Sequence, residues 1–404
     1  MADTAWEMIH LSSEAELGSY FSIRAKQGFN TVFTVAIAEL DGFEMPNAAG
    51  HTPFAGTDLS KPNEAYWDYV DTVVRQAATY GLYVAMLPTW GTWVDQGTIH
   101  QGNAYTYGAW IGERYVGCRN LIWILGGDLD FRGMHGEHGA IFRAMAEGIR
   151  SRDTNHLIGY HPKSRSAAFA HAEAWLDFNL LQTSHHRIDN PDSCLWIEAD
   201  RARTPPKPTL DGEPRYEGHF IDWKEEAGVF RAFDVRQAAY WSVLSGAAGH
   251  VYGHISVIAW KNPKLSRLPW YLPSSVPDWR EGLHAPGAED MGHLVELMHS
   301  VDFPSLTPDQ SIITSNNPAD GGHQRAARGD GFVIVYSPYG RGFEASLASL
   351  QGSGCQCLWV DPRSGAKHDL GERQTGVLRF DPPGGEARGN DWVLVAKRSR
   401  RRPG

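Results

Sequence analysis

Cysteine is scarce in this chain, and positive charge is not in excess. Four cysteines among 404 residues are too few for a disulfide framework, and their positions at 118, 194, 355 and 357 lack the spacing of a zinc site. The chain carries 37 Lys and Arg against 47 Asp and Glu, whereas nucleic-acid-binding proteins usually present a basic face. The composition therefore argues against a disulfide-rich domain, a structural zinc site and a nucleic-acid partner.

Long apolar runs are lacking too. No run reaches the roughly 20 apolar residues that a membrane span requires, so no membrane partner is expected. The N-terminus lacks the basic and then apolar segments of a signal peptide, which predicts a cytoplasmic protein. Residues 1–6 nevertheless resemble the end of a strand whose start is missing. A secreted or periplasmic protein that has lost an upstream signal is therefore the alternative.

What the chain does contain is a repeated strand and helix pattern over its first 300 residues. Helical periodicity is clearest over residues 65–80, where apolar side chains recur at steps of three and four. Eight such repeats favour a (β/α)8 TIM barrel over residues 1–304. A doubly wound sheet is disfavoured because no glycine-rich dinucleotide motif follows the early strands. The eight predicted strands are the residues up to 3, 31–38, 82–87, 121–125, 156–160, 178–182, 209–212 and 249–253.

The pattern changes from about residue 305 to short alternating strands with turn residues between them, at 331–337, 357–360, 376–380 and 392–396. This predicts a small antiparallel β-sandwich over residues 305–396. Trp359 and Trp392 in it are interpreted as core residues, with a sugar-binding platform as the alternative. The basic residues 397–404 are expected to form a disordered tail.

In a TIM barrel the active site lies at the C-terminal ends of the strands, so the residues that close the strands should line one mouth. Carboxylates that move protons, indoles that stack on sugars and imidazoles that bind hydroxyls together predict a carbohydrate site. For Trp90 and Trp93, packing is an equal alternative. The candidates are Asp3, Trp6, Glu39, Trp90, Trp93, Asp128, Asp130, His161, Ser184, His185, His186, Glu213, Tyr216, Glu217, His250, Tyr252 and His254.

Asp128 and Glu213 are the predicted catalytic pair, because they close the fourth and seventh strands and should face each other across the barrel. Cleavage of a glycosidic bond requires one acid to protonate the leaving oxygen and a second carboxylate. Asp128 is assigned as the general acid/base with a raised pKa, and Glu213 as the ionised nucleophile. A separation of about 5 Å would predict retention of configuration, and about 6.5 Å or more would predict inversion.

Each assignment has an alternative. Asp128 could be a turn residue or a helix N-cap, and Glu213 could form an ion pair with Arg215. Asp130 or Glu217 could take the place of the favoured acids. Asp211, two residues before Glu213, is interpreted as a supporting acid one layer deeper in the barrel.

Two other classes of protein compete with a glycosidase. A metal-dependent barrel hydrolase could use His161 and His185 as ligands, but the first strand lacks a His-x-His pair and the eighth lacks an aspartate. Neither a metal nor another cofactor is therefore expected. A non-catalytic carbohydrate-binding protein would lack one of the two carboxylates, and both are present.

Five motifs, in this order, resemble those of the apiosidase-like glycoside hydrolases. They are Asp-Thr-Ala-Trp-Glu at 3–7, Gln-Gly-Phe-Asn at 27–30, Gly-Gly-Asp at 126–128, Gly-Glu-Pro-Arg-Tyr-Glu-Gly at 212–218 and Gly-His-Val-Tyr-Gly-His at 249–254. The resemblance covers essentially the whole chain, since the family barrel is followed by a domain named for collagen binding. Nothing in residues 305–396 themselves indicates collagen binding, and a structural cap on the barrel is the preferred interpretation.

The resemblance implies an enzyme of pectin degradation that removes apiose from the side chains of rhamnogalacturonan II, a plant cell-wall polysaccharide. It also implies that Asp128 and Glu213 form the catalytic pair. Segments 41–61, 95–107 and 262–286 are expected to build the pocket walls, because they are rich in Gly, Pro and aromatic residues. An activity toward arabinofuranose or another pentofuranose remains an alternative.

Overall fold

The structure is a computed structural model that describes residues 1–131, 138–183, 185–186, 191–262, 269, 272–273, 275–350, 352 and 354–399. Ser184, part of the predicted wall at 262–286 and the last residues of the predicted tail, 400–404, lie outside these ranges.

The first 305 residues alternate strands and helices, as the periodicity predicts. The strands are β1 (Ala2–Thr4), β2 (Thr31–Val35), β3 (Phe54–Ala55), β4 (Asp58–Pro62), β5 (Tyr83–Leu87), β6 (Leu121–Gly126), β7 (Ile158–His161), β8 (Asn179–Leu181), β9 (Thr209–Asp211) and β10 (Gly249–Tyr252). The helices are α1 (Met8–Leu11), α2 (Glu14–Lys26), α3 (Glu64–Thr79), α4 (Thr92–Asp95), α5 (Gln101–Tyr115), α6 (His138–Arg150), α7 (Asp192–Arg201), α8 (Ala232–Leu244), α9 (Ile255–Ile258), α10 (Trp279–Gly282) and α11 (Pro286–His299). Within the described residues, no helix has both the length and the apolar character needed to cross a membrane.

Eight of these strands form one parallel sheet in the order β7-β6-β5-β2-β1-β10-β9-β8. The sheet curls so that its two ends meet where Asp177, just before β8, donates its backbone N–H to the carbonyl of Ile158 in β7 (2.9 Å). The side-chain Oδ2 of Asp177 accepts the N–H of Ile158 in return (2.7 Å). The predicted TIM barrel is therefore confirmed. The hairpin β3–β4 lies outside this sheet, in the segment 41–62.

Strand positions agree with the predictions within a few residues. Among the barrel strands, the largest shift at a strand start is in β7, predicted from residue 156 and observed from Ile158. The imidazole of His156 bonds Asp153 (2.5 Å) and the carbonyl of Cys118 (2.6 Å), which fixes this residue in the turn before the strand. Side-chain hydrogen bonds of this kind compete with the strand ladder and are invisible to periodicity.

The C-terminal part is antiparallel, as predicted. Its strands are β11 (Thr307–Pro308), β12 (Arg325–Gly329), β13 (Phe332–Ser337), β14 (Phe343–Ser346), β15 (Cys355–Val360), β16 (Lys367–Arg373), β17 (Val377–Phe380) and β18 (Trp392–Arg398). A six-stranded sheet, β11-β12-β13-β18-β15-β16, packs one face on the two-stranded sheet β14-β17. Trp359 and Trp392 are 3% and 5% exposed and belong to this core. The predicted start of the tail at residue 397 is too early, because β18 continues to Arg398.

The other face of the six-stranded sheet packs on α8 and α11 of the barrel. Arg236 of α8 lies at the centre of this interface and donates to both oxygens of Asp391 (2.6 and 2.7 Å). It also donates to Asp290 of α11 (2.6 Å). Tyr336 of β13 donates to Asp391 (2.9 Å) and stacks on Tyr240 of α8 at 4.6 Å. The two parts of the chain are thus joined by a buried ion triad inside an apolar contact.

Replacement of Arg236 by leucine should therefore be strongly destabilising, because it leaves two buried carboxylates without their cation. Breaking a buried pair in this way typically costs about 3–5 kcal/mol. Urea denaturation followed by tryptophan fluorescence should show a clearly lower midpoint. Arg379→Leu is the matched control, since its pair with Asp381 (2.8 Å) is more than 60% exposed and such pairs contribute about 0–1 kcal/mol. Equal, small shifts for both variants would contradict this account of the interface.

Candidate active site

The turn that carries Asp128 leaves β6 through three successive residues with left-handed backbone, Gly126 (φ 97°), Gly127 (φ 98°) and Asp128 (φ 57°). A Cβ on Gly126 would lie 2.2 Å from the carbonyl oxygen of His161, and one on Gly127 would lie 2.6 Å from the nitrogen of Gly91. Only glycine fits between these neighbouring backbones. Asp128 is therefore a turn residue, as one of the alternatives predicted. The same turn brings its carboxyl group beside the end of β7.

Glu213 follows β9, and its side chain is 7% exposed between two imidazoles. Its Oε2 lies 3.1 Å from Nε2 of His161, and its Oε1 lies 3.1 Å from Nε2 of His185. Burial alone would raise the pKa of Glu213, but the two histidines outweigh it and hold this pKa below its ordinary value. Arg215 lies toward α8, where its Nη1 donates to Oε1 of Gln237 (2.6 Å). Glu213 is therefore an ionised carboxylate with both oxygens engaged by imidazoles.

Asp128 and Glu213 are brought together at His161. Nδ1 of His161 lies 3.5 Å from Oδ1 of Asp128, and one donor atom from each of the three residues lies within 4.8 Å of the others. Partial burial and then the negative charge of Glu213 raise the pKa of Asp128 to about 7, although Gln182 donates to its Oδ1 (3.1 Å). The Asp128 side chain is 43% exposed, so a substrate can reach it. The site thus pairs an accessible, protonatable acid with a buried, ionised carboxylate.

The same three residues form a set of side chains that could also hold a cation. His185, the second histidine expected of a metal site, places its Nε2 against Glu213 and stacks on neighbouring rings. Both histidines therefore contact Glu213, His185 through a hydrogen bond and His161 through a 3.1 Å approach of its Nε2 to the other carboxylate oxygen.

Two further acids extend the site toward β1 and β2. Burial and the charge of Glu213 raise the pKa of Glu39 to about 7, although Trp90 hydrogen-bonds its carboxyl group. Glu7 is 3% exposed, and burial followed by the charge of Glu39 raises its pKa to about 8. The sequence prediction missed Glu7. Its signal was the last position of the Asp-Thr-Ala-Trp-Glu motif, which places it just after β1.

The indoles at the barrel mouth are buried and pack on neighbouring side chains. Trp6 and Trp90 pack against the ring of His161, at centroid distances of 5.3 and 5.6 Å, and are 8% and 4% exposed. Trp93 donates its Nε1–H to the carbonyl of Ala38 (2.8 Å). These contacts favour the packing alternative for Trp90 and Trp93.

A second aromatic cluster lies behind Glu213. His185 stacks on His219 at 4.1 Å and on Tyr216 at 4.7 Å. Burial and the neighbouring His185 lower the pKa of His219 to about 3, so this imidazole is neutral. Trp223 packs edgewise on both histidines. His219 and Trp223 were not predicted, because they lie in the loop after Glu213, where no strand or helix period marks an inward position.

Asp3 does not contact the mouth, contrary to the sequence prediction. Its side chain is fully buried, pairs with Arg24 of α2 (2.7 Å) and accepts the hydroxyl proton of Tyr20 (2.7 Å). Tyr252 aligns with Asp3 in the sheet register and also lies beside Arg24, whose guanidinium is 5.7 Å from its ring centroid. Because side chains alternate along a strand, these two residues face the helices and not the barrel interior.

Three other predicted substrate contacts are held by interactions with the scaffold. Glu217 accepts the Tyr252 hydroxyl (2.7 Å) and the N–H of Gly287 at the start of α11 (3.0 Å). His254 caps α9 by accepting the N–H of Ser256. His250 is 2% exposed, with Nδ1 3.9 Å from a carboxylate oxygen of Asp211.

The two alternative acids have other neighbours in the structure, and the supporting acid is not where it was expected. Glu217 is held as described above, and Asp130 lies beside Tyr160. Asp211 accepts hydrogen bonds from Thr183 (3.0 Å) and from Ser242 of α8 (2.8 Å). Asp211 therefore faces the helical layer and does not lie beneath Glu213.

The chain is similar over nearly its whole length to solved glycoside hydrolases. One is named simply as a glycoside hydrolase and is 30% identical, with a TM-score of 0.92 over 98% of this chain and 92% of that chain. A family 5 glycoside hydrolase from Bacteroides vulgatus ATCC 8482 has the same identity and TM-score, over 98% and 88% of the two chains. The endo-1,4-beta-D-mannanase of Thermotoga petrophila RKU-1, at 15% identity and a TM-score of 0.51, covers 74% and 99% and shares the fold alone.

With two close carboxylates at the mouth of the barrel, these similarities define the chain as a glycoside hydrolase. Residues 1–305 match the family model described as "Apiosidase-like, catalytic domain", and residues 307–397 match the "Putative collagen-binding domain of a collagenase". The chain therefore belongs to the apiosidase-like family. A search among curated proteins found no match.

The raised pKa of Glu7 predicts how stability depends on pH. The ordinary pKa of a glutamate is 4.5, and that of folded Glu7 is about 8. At a pH between these two values, folded Glu7 keeps a proton that the unfolded chain has lost. Its contribution to the free energy of unfolding therefore falls as pH rises through this window. Glu7→Gln keeps an acceptor for the N–H of Leu40 but cannot ionise, so its Tm should fall less between pH 5 and pH 8 than that of the wild type.

The matched control is Glu14→Gln, which changes an exposed acid on α2. It should show the wild-type dependence of Tm on pH. A Glu7→Gln variant whose Tm follows the wild type throughout this range would contradict a raised pKa of Glu7 in the folded protein.

Proposed function

We propose that the enzyme cleaves its glycosidic bond with retention of configuration, with Glu213 as nucleophile and Asp128 as general acid/base. The observation that supports this most is the separation of at most 4.8 Å between a carboxylate oxygen of each residue. Retaining enzymes have carboxyl groups about 5–5.5 Å apart, whereas inverting enzymes need about 6.5–9.5 Å to admit a water molecule.

In the first step, Asp128 gives its proton to the glycosidic oxygen while a carboxylate oxygen of Glu213 attacks the anomeric carbon. The bond from that carbon to the leaving oxygen breaks, the alcohol departs, and an ester to Glu213 remains. In the second step, the Asp128 carboxylate takes a proton from water, whose oxygen attacks the anomeric carbon and releases Glu213. Esterification removes the negative charge that raises the pKa of Asp128, so the same residue can act first as acid and then as base.

The two histidines keep Glu213 ready for attack. Contacts of 3.1 Å to each of its oxygens fix the carboxylate in one orientation. Glu213 and Asp128 raise the pKa of His161 above its ordinary value, although burial opposes this, so its ring is favoured in the charged form next to the nucleophile. An oriented carboxylate costs less to bring into line with the anomeric carbon than one that is free to rotate.

For the substrate, we infer apiose attached to a pectic side chain of the rhamnogalacturonan II type. Membership of the apiosidase-like family supports this choice. The runner-up is another pentofuranose, above all arabinofuranose. The C-terminal domain is proposed to be a structural cap, because one face of its larger sheet packs on α8 and α11.

A substrate panel tests the proposal. Wild type should release apiose from rhamnogalacturonan II, with less or no hydrolysis of p-nitrophenyl arabinofuranoside and mannoside. Asp128→Ala should lower kcat by about 10²–10⁴, the usual contribution of a general acid, and Glu213→Ala should abolish turnover. Asp130→Ala is the matched control and should remain active. Full activity of either alanine variant at 128 or 213 would refute the pair, and a loss of activity in EDTA that zinc restores would indicate a metal-dependent hydrolase.

The pH profile gives a separate test. Because Asp128 must carry a proton and its pKa is raised to about 7, kcat/KM should fall as pH rises through about 7. The acidic limb should lie below the ordinary glutamate range, since the pKa of Glu213 is lowered. The charge of Glu39 contributes to the raised pKa of Asp128, so Glu39→Gln should move the alkaline limb to lower pH. An alkaline limb that stays in place in Glu39→Gln would contradict this coupling.

A further inference from the structure

Trp223 differs from the other tryptophans of the chain in its exposure. Trp223 is 38% exposed, whereas each of the other thirteen described tryptophans is less exposed. A single exposed apolar side chain carries little meaning by itself. The position and the backbone conformation of Trp223 indicate a functional role for this side chain.

One side chain, that of His185, lies between the indole and the proposed nucleophile Glu213. Its ring centroid is 4.4 Å from that of His219 and 5.2 Å from that of His185, with interplanar angles of 87° and 68°. His185 in turn contacts Glu213 at 3.1 Å. Trp223 therefore stands at the edge of the site, on the side of Glu213.

The backbone holds the indole there in an unfavourable conformation. Asp222 and Trp223 have φ values of 53° and 61°, and the left-handed region is rare for a residue as bulky as tryptophan. Hydrogen bonds fix this turn, since Asp222 donates its N–H to the carbonyl of His185 (2.8 Å) and Ile221 donates to Gly228 (3.0 Å). Backbone strain of this kind persists where the surrounding structure enforces it, and such positions cluster at ligand clamps.

We infer that Trp223 is the stacking platform for a second sugar ring, next to the ring whose glycosidic bond Asp128 and Glu213 break. An exposed indole offers a flat apolar face that matches the C–H face of a sugar, while its contacts with the histidines keep it rigid. The inference rests on the proposed function of the site. It makes the enzyme selective for oligosaccharides and polysaccharides over simple glycosides of the same terminal sugar.

The competing role is that Trp223 only wedges His185 in place. That role acts through Glu213, so its loss would lower kcat and shift the pH profile for every substrate. A platform acts on binding of the second ring, so its loss would raise KM for substrates that contain this ring.

The test compares Trp223→Ala and Trp223→Phe with the wild type on an apiose-bearing oligosaccharide from rhamnogalacturonan II and on methyl apiofuranoside. For Trp223→Ala, KM for the oligosaccharide should rise about tenfold, the effect of about 1.4 kcal/mol of lost stacking. The rise should be at least several-fold smaller for the methyl glycoside, and phenylalanine should restore part of the loss. Tyr83→Ala removes an aromatic side chain that is 46% exposed at the start of β5, the end of this strand that faces away from the mouth, and it should behave as the wild type.

A fall in kcat with a shifted pH profile on both substrates would overturn the platform in favour of the wedge. An unchanged KM for the oligosaccharide would overturn it outright. Calorimetric binding of the same oligosaccharide to Glu213→Gln, with and without Trp223→Ala, measures the platform without turnover. If the wild type cleaves none of the glycosides, the proposed function fails, but weaker binding by the double variant still supports the platform and equal binding refutes it.

Discussion

The close approach of two carboxylates, Asp128 and Glu213, is the constraint on which the rest of the site depends. Two negative charges within 4.8 Å of each other cannot both be stable in a partly buried site, so one must be compensated and the other must hold a proton. His161 and His185 compensate Glu213, and Asp128 takes the proton. The packing of Trp6 and Trp90 on His161 and the stack of His219 on His185 then serve one purpose, which is to hold these two imidazoles in place.

The scaffold extends this support well beyond the barrel mouth. Arg215, two residues after Glu213, donates to Gln237 of α8, and the amide of Gln237 donates to the carbonyl of Gly321 in the C-terminal part (2.8 Å). The neighbouring Arg236 joins the same helix to Asp391. The C-terminal sheet therefore packs on the helix that anchors the loop of the proposed nucleophile, which gives a physical reason for its position on the barrel.

Much of the fold could be predicted from the sequence, because eight buried strands with helices between them leave a clear periodic signal. The sharp turn at Gly126 and Gly127 could also be predicted, since two glycines before an acid mark a strand end that must bend. The direction of side chains at strand ends could not be predicted. Asp3 lies in the middle of β1 and Tyr252 ends β10, and both face the helices, because a shift of one residue decides between interior and exterior. His219 and Trp223 lie in a loop, where no period exists.

The configuration of the first-formed product tests the central claim most directly. Proton NMR of a wild-type reaction, recorded before the released sugar equilibrates between its anomers, identifies that configuration. One oxygen of each carboxylate lies within 4.8 Å of the other, which is close to the spacing of retaining enzymes, so the account predicts the same anomeric configuration as in the substrate. An inverted first product would contradict the account, because Glu213 would then have to activate water as a base and could not form the ester.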